Sequence, residues 1–428
     1  MAAAESVILK IHSLSYGPYG VGRSDGQAIL TPLTAPGDEA RIRIIEQRGS
    51  YAIGQMTELL NPSPLRQTPL CPYFGKCGGC PWQHIDYSAQ LAAKQKNVED
   101  ALRRIGKLEG FELFPIVPSP EEYGYRSRIR LQVDGQKRAG LYRAFSHEII
   151  EIDSCRISDN KVDRNLALLK EWIHQLKTPV HQAEGIRDDD GERIVFVAEA
   201  RDGAFCIDND QASSLFLSRH REIRGLTLFG RGWRRSWGQG KISVYPEDGI
   251  RIEADAETFT QANRAANRLL VQKLLSWAEF HHQDRILELY SGAGNFTLPI
   301  ARRSERVLAA ERSRRAVQSG QENSRSNGLE NIRWVCSPAL KAVQYLAKSG
   351  EKFSKIILNP PRSGAKGLEE DLSSLGAERV FYISCNPTTL ARDLAGLNGK
   401  GYRVTRIQPF DLFPHTFHVE TLAEIIRT

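Results

Sequence analysis

From about residue 256 the chain settles into a rhythm of strand, glycine loop, helix and strand, the signature of a parallel, doubly wound α/β sheet. Arg285 to Tyr290 reads as a buried strand, Ser291-Gly-Ala-Gly-Asn295 as a tight loop, and Phe296 to Arg302 as the opening of a helix. A second strand, Arg306 to Ala310, ends at Glu311, and a helix from about Arg312 to Asn327 is closed by Gly328. Strands at Ile332–Cys336, Lys355–Leu358 and Val380–Ser384 alternate with further helices. This rhythm assigns residues 256–428 to one Rossmann-like domain.

A chain of 428 residues has room for two to four such units. Residues 1 to about 60 alternate apolar and polar, as in Val7, Leu9 and Ile11, or Ile42 and Ile44 between Arg41 and Arg43. Gly17-Pro18, Asp25-Gly26 and Pro36-Gly37-Asp38 punctuate them as hairpins require, so 1–64 is expected to form a small OB-like β-barrel. Asn61-Pro-Ser-Pro64 and Pro69 mark a linker. In 88–108, Leu91, Val98, Leu102 and Ile105 share a helical face with Ser88 placed to cap it, and this helix is a candidate to pack on the last domain. Alternating runs such as Ile129–Val133 and Ile149–Ile152 make 65–255 a β-rich central domain.

Composition narrows the class. Apolar residues are 41% and charged residues 25%, ordinary for a globular protein, and no run approaches the roughly eighteen apolar residues of a membrane span. Met1-Ala-Ala-Ala-Glu5 carries no secretion pattern, and seven cysteines, an odd count, argue against a disulfide framework, so a cytoplasmic location is expected. The net charge of +7 favours a polyanionic partner. No obligate protein partner is evident.

The loop Glu288-Leu-Tyr-Ser-Gly-Ala-Gly-Asn295 stands where a doubly wound sheet binds its cofactor, and Glu311, ending the next strand, can accept ribose hydroxyls. The full G-x-G-x-x-G of dinucleotide binders is absent, which tilts the expectation from NAD to S-adenosylmethionine. Leu358-Asn-Pro-Pro-Arg362 fits a turn that holds an amino nitrogen, or only a rigid turn. Cys385, in Ser384-Cys-Asn-Pro387, falls at a strand end with a helix close behind, whose dipole is expected to lower the thiol pKa. Glu420 closes Phe413-Pro-His-Thr-Phe-His-Val-Glu420 among apolar residues that would raise its pKa towards that of a general base. His415 and His418 read as hydrogen-bonded surface histidines. Phe259-Thr-Gln-Ala-Asn263 supplies two amides suited to the edge of a uracil ring.

Cys71, Cys77 and Cys80 fall within ten residues, with Cys155 distant. Four thiolates can hold structural zinc, although zinc modules favour two Cys-x₂-Cys pairs and this bunching is more typical of iron–sulfur ligation. Arg302, Arg303, Arg306, Arg312, Arg314 and Arg315 form either an RNA contact or a solvated basic face; Arg231-Gly-Trp-Arg-Arg-Ser-Trp237 interleaves cations with aromatics.

Taken together, Cys71-x₅-Cys77-Gly-Gly-Cys80 with Cys155, Phe259-x-Gln261-x-Asn263, Ser384-Cys-Asn-Pro387 and Phe-Pro-x-Thr-x-His-x-Glu420 resemble the RNA (uracil-5-)-methyltransferase family, in its branch with an N-terminal TRAM barrel and a 4Fe–4S cluster. The resemblance covers essentially the whole chain. It implies a class I methyltransferase domain, a cluster on Cys71, Cys77, Cys80 and Cys155, and adenosylmethionine contacts at Gln261, Tyr290, Gly292, Asn295, Glu311 and Asn359. It implies Cys385 as the nucleophile on uracil carbon 6 and Glu420 as the base, with 23S rRNA as the substrate and tRNA as the alternative. The family usually has Asp where Asn359 stands and an acid within Cys336-Ser-Pro-Ala339. An amino-group methyltransferase, or a non-catalytic RNA-binding homologue with a decayed cofactor site, are the competing expectations.

Overall fold

The computed structural model describes residues 6–428 apart from Glu192, Asp202 and Ala204. Met1–Glu5, read above as lacking a secretion pattern, lies outside the described residues. Strands Ser6–Leu14, Tyr19–Ser24, Gln27–Pro32, Glu39–Arg48 and Tyr51–Asn61 close into a barrel in the order first, second, third, fifth, fourth. The third and fifth strands run parallel, the closure of an OB-type barrel. Leu9, Ile11, Ile29, Ala40, Ile42 and Ala52 fill it, the inward half of each alternating strand.

Residues 128–238 build a seven-stranded sheet in the order Trp233–Gly238, Ile223–Gly230, Ile194–Ala200, Val180–Arg187, Arg128–Val133, Ala139–Tyr142, Ile149–Glu151. One face packs on helices Leu166–Gln175 and Asp208–Arg219 through Leu169, Trp172, Phe196 and Phe216. The other packs on the hairpin Lys241–Glu247 and Ile250–Asp255 through Ile186, Val195 and Val197. Ile250 and Ile252 continue onto Leu298, so this hairpin joins the central sheet to the last domain.

The last domain is an eight-stranded sheet, ordered Ile332–Cys336, Arg306–Glu311, Arg285–Leu289, Lys355–Leu358, Arg379–Ser384, Glu420–Arg427, Tyr402–Phe410, Glu112–Leu113. The first five are parallel, and Glu420–Arg427 runs antiparallel to both neighbours. The strands read as nearly continuous apolar runs because helices cover both faces. Reversal of direction between Arg379–Ser384 and Glu420–Arg427 puts the end of one strand beside the beginning of the next. That juxtaposition builds the site.

Tyr87–Asp100 is α-helical and continues into one π turn, Ala101–Ile105. Asp86 caps it, accepting from the Ser88 N–H at 2.9 Å, whereas Ser88 was expected to be the cap. The expected apolar face also holds only in part. Val98 and Leu102 enter the core of the last domain, but Ile105 is 52% exposed, because it ends the π turn, which rotates the register. Gln90 and Lys94 take the buried line instead. Among the described residues no helix is long and apolar enough to cross a membrane.

Candidate active site

The glycine turn forms at the carboxyl end of Arg285–Leu289. Tyr290 takes a left-handed backbone (φ 64°), followed by Gly292 (φ 58°) and Gly294 (φ 111°). A Cβ on Gly294 would collide with Leu298, so this glycine keeps the following helix close. At Gly292 an added Cβ would meet nothing within 4 Å, so the turn opens onto free space. Glu311 accepts hydrogen bonds from the N–H of Gly292 (3.2 Å) and of Ser313 (2.8 Å), tying the turn to the end of the second strand. Asn295 exchanges side-chain amide bonds with Asn267 at 2.8 and 3.1 Å. Beneath the turn Glu288 is fully buried, and burial pushes its carboxyl up to about 8.

Gln261 lies half-buried just before helix Arg264–Ala278. Asn263 does not join it at the site. Its Oδ1 caps that helix at the Ala266 N–H (3.0 Å), and its Nδ2 donates to Ser119 Oγ (2.9 Å) and to the Leu412 carbonyl (3.1 Å). With its amide committed and its surface buried, Asn263 has nothing left for a uracil edge.

Cys385 occupies the single position between strand Arg379–Ser384 and Asn386, the cap of helix Pro387–Asn398. Ser384 pairs with Thr421, which sets Cys385 and Glu420 side by side at adjoining strand ends. Burial drives both pKa values upward: the Glu420 carboxyl to about 8, with Arg362 pulling it down; the Cys385 thiol to about 11, with the Glu420 charge adding to the rise and Arg362 opposing it. The expected lowering of the Cys385 pKa by the helix dipole is therefore overturned. Desolvation outweighs the dipole, since Cys385 precedes the cap and lies outside the first turn where the dipole acts.

Arg362 follows Asn359-Pro-Pro, at the end of strand Lys355–Leu358. Asn359 donates its backbone N–H to Leu289 at 3.4 Å, which fixes it beside the glycine turn. The Arg362 carbonyl accepts from Asn386 Nδ2 (3.2 Å) and Thr389 Oγ1 (3.1 Å), so the turn is fastened to the helix that follows Cys385. Its guanidinium lies 3.2 Å from a ring nitrogen of His418, which is half-buried against Phe417.

His415 departs from its expectation as a surface residue. It is fully buried with a left-handed φ of 65°. Its N–H donates to Gln90 Oε1 (2.8 Å), and its carbonyl accepts from the Trp82 N–H (3.0 Å). These bonds clamp the segment leading to Glu420 between the helix and the cysteine loop, and burial holds the imidazole pKa down near 4, keeping it neutral. Lys94 donates to Asp411 at 2.6 Å, with both side chains wholly buried.

Tyr16, which no motif flagged, reaches this centre from the barrel. Its hydroxyl donates to the Cys385 carbonyl at 2.8 Å. Only the tertiary fold joins these two residues, so no local pattern could have exposed the contact.

Cys71, Cys77, Cys80 and Cys155 line one pocket of about 140 Å³, together with Arg126, Arg130 and Arg156. Burial raises the Cys80 thiol strongly, with the sulfurs of Cys155, Cys77 and Cys71 adding to the effect. Among the described residues no three such ligands converge closely enough for a single metal ion. The arginine group is partly neutralised: Arg303 meets Glu247 at 3.0 Å and Arg315 meets Glu257 at 3.4 Å. Trp233 and Trp237 pack on Phe205 and are half-buried, so their rings belong to the central sheet's packing.

The doubly wound sheet, its antiparallel strand Glu420–Arg427 and the glycine turn define a methyltransferase domain. The chain is 33% identical to the uncharacterized RNA methyltransferase tlr0942 of Thermosynechococcus vestitus, over 98% of this chain and 97% of that one. It is also 33% identical to the 23S rRNA (uracil(1939)-C(5))-methyltransferase RlmD of Edwardsiella ictaluri, over 94% and 92%. The chain belongs to the RNA (uracil-5-)-methyltransferase family. A family model described as tRNA (Uracil-5-)-methyltransferase matches residues 246–427. The fold is also that of the Pyrococcus abyssi tRNA (uracil-54, C5)-methyltransferase solved with S-adenosyl-L-homocysteine (TM-score 0.75, 24% identity, 98% of this chain and 100% of that one).

Proposed function

We propose that this chain methylates carbon 5 of a uridine in 23S rRNA, in the cytoplasm, with S-adenosylmethionine as methyl donor. The observation that carries the reading is Cys385 beside Glu420 at adjoining strand ends, next to the glycine turn. Whole-length likeness to enzymes named for 23S rRNA favours that substrate. The tRNA alternative is supported by the catalytic-domain family model.

The backbone at Gly292 is open to a close approach, and the polar groups around the turn suit a nucleoside cofactor. Glu311 would accept the ribose hydroxyls, with Gly292, Tyr290, Asn295, Gln261 and Asn359 completing the cradle. Adenosylmethionine, when bound, supplies an electrophilic methyl group. Carbon 5 of uracil is too weak a nucleophile to take it unaided. The Cys385 thiol gives its proton to solvent, and the thiolate sulfur adds to carbon 6 and breaks the ring double bond, so that carbon 5 gains electron density and takes the methyl. Glu420 then removes the carbon 5 proton, the double bond reforms, and the carbon–sulfur bond breaks to release Cys385. The target base must leave its stack to reach these groups. Arg362 is placed to favour the charged forms of both Cys385 and Glu420.

A 4Fe–4S cluster rather than zinc is read for the four-cysteine pocket, because three of its cysteines are bunched in sequence with Cys155 distant. Such a cluster would be structural or RNA-orienting, since methyl transfer moves no electron. The barrel is read as a TRAM module.

The deciding experiment supplies labelled methyl donor and an unmodified 23S rRNA transcript, with nucleosides identified by mass spectrometry. Labelled 5-methyluridine, lost in Cys385→Ala, is the expected result. Label on an exocyclic amine that survives Cys385→Ala would give the reaction to the amino-group class. RNA binding without any label would leave only a binding protein.

A further inference from the structure

We infer that Tyr16 is a positioning residue for the nucleophile, fixing the main chain of Cys385 from the barrel; the inference rests on reading Cys385 as the nucleophile. Tyr16 stands in the turn between the first two barrel strands. That turn is stapled by Ser15 N–H to the Tyr19 carbonyl (3.0 Å) and Gly17 N–H to the Ser15 carbonyl (2.7 Å). The phenol ring meets Phe417 edge-on, with centroids 5.7 Å apart, and packs against the core of the catalytic domain.

The bond matters because of where it lands. Cys385 follows the last laddered residue, Ser384, and precedes the helix cap, Asn386. No ladder or helix bond sets its carbonyl; the N–H of the same peptide, from Asn386, donates to Ser384 Oγ at 3.2 Å, and the Tyr16 hydroxyl fastens the carbonyl itself at 2.8 Å. Fixing the carbonyl fixes the backbone angle that aims Sγ. Addition to a ring carbon demands approach above the ring plane, and a small misdirection of the attacking atom costs rate without costing binding. The phenol pKa is pushed up to about 12, mainly by burial, so the hydroxyl remains a donor across the working pH range.

The turn is held by more than its tip. Leu14 and Ala35 of the barrel share one apolar cluster with Trp82 and Ile85 of the cysteine loop, and Phe417 packs on it. Asp38, fully buried, takes Arg66 by two bonds (2.8 and 2.7 Å) and locks the barrel to the linker. Tyr16 thus extends from a fixed base.

The test uses full-length Tyr16→Phe, which keeps the ring and deletes the hydroxyl. In vitro transcribed 23S rRNA carrying 5-fluorouridine traps the covalent adduct, and the parent protein and Cys385→Ala run beside it. The expected result is an adduct rate about tenfold lower at saturating RNA, with RNA affinity and KM within twofold of the parent. An adduct rate within twofold of the parent would overturn the assignment. So would a defect confined to RNA KM, which would mean the hydroxyl serves substrate binding. A parent protein that forms no adduct through Cys385 while still methylating RNA would instead sink the nucleophile reading, and the Tyr16 role with it.

Discussion

At the residue scale the site is a pair of groups that burial keeps protonated. With ordinary uridine RNA, Glu420→Gln should stall after methyl transfer and accumulate a covalent protein–RNA species stable to denaturing gels. Parent protein should show none, and equal amounts in both would remove Glu420 from the base role. Turnover to released 5-methyluridine by the parent should rise with pH as Glu420 loses its proton near 8, measured from pH 6 to 9. The same burial has a stability consequence at Glu288, whose carboxyl titrates near 8 in the folded protein against 4.5 ordinarily. Between those limits the native state holds a proton that the unfolded chain has released, so stability falls as pH rises from about 4.5 to about 8. Glu288→Gln should flatten that fall in thermal melts; an unchanged slope would count against the buried acid. The apolar company of Glu420 made its raised pKa readable from sequence. The opposite error at Cys385 had a physical source: the helix behind it was legible, but its desolvation depends on residues far away in the chain.

At the scale of single elements, the helix Tyr87–Asp100 shows how far periodicity reaches. Val98 and Leu102 were readable as a core face, since they pack where a 3.6-residue repeat puts them. Lys94 on the same face was not, because its burial depends on Asp411, which only the tertiary fold brings near. A lysine and a glutamine in line with apolar residues are the trace such a pair leaves in sequence. Lys94→Ala should strip the partner from a buried charge and cost about 3–5 kcal/mol in chemical denaturation. Because Asp411 precedes the clamp at His415, RNA methylation should fall with it. A loss below 1 kcal/mol would show that the pair carries little. The parallel strands were legible to within a residue or so, their apolar runs being bounded by glycine and by charge.

At the scale of the whole molecule, the sequence marked out a barrel, a β-rich middle and a doubly wound end, but not how they interlock. The hairpin Lys241–Asp255 reads locally as two more strands of the middle, yet it joins that sheet to Leu298 beside the glycine turn. The stretch after Cys80 is likewise bound to the segment leading to Glu420, through the Trp82 N–H on the His415 carbonyl. On the proposed 4Fe–4S reading, anaerobically prepared protein should be brown with visible absorption, and Cys80→Ser should lose the colour and melt earlier. A colourless parent preparation containing zinc would return the pocket to the zinc reading.

The hydroxyl contact between Tyr16 and Cys385 closes a loop of 369 residues. During synthesis the barrel emerges first and must wait until nearly all the remaining chain has left the ribosome before its turn finds a partner. On the proposed reading, competence for chemistry is thus among the last properties the nascent protein acquires, and a fragment that begins beyond the barrel carries Cys385 without its fastening.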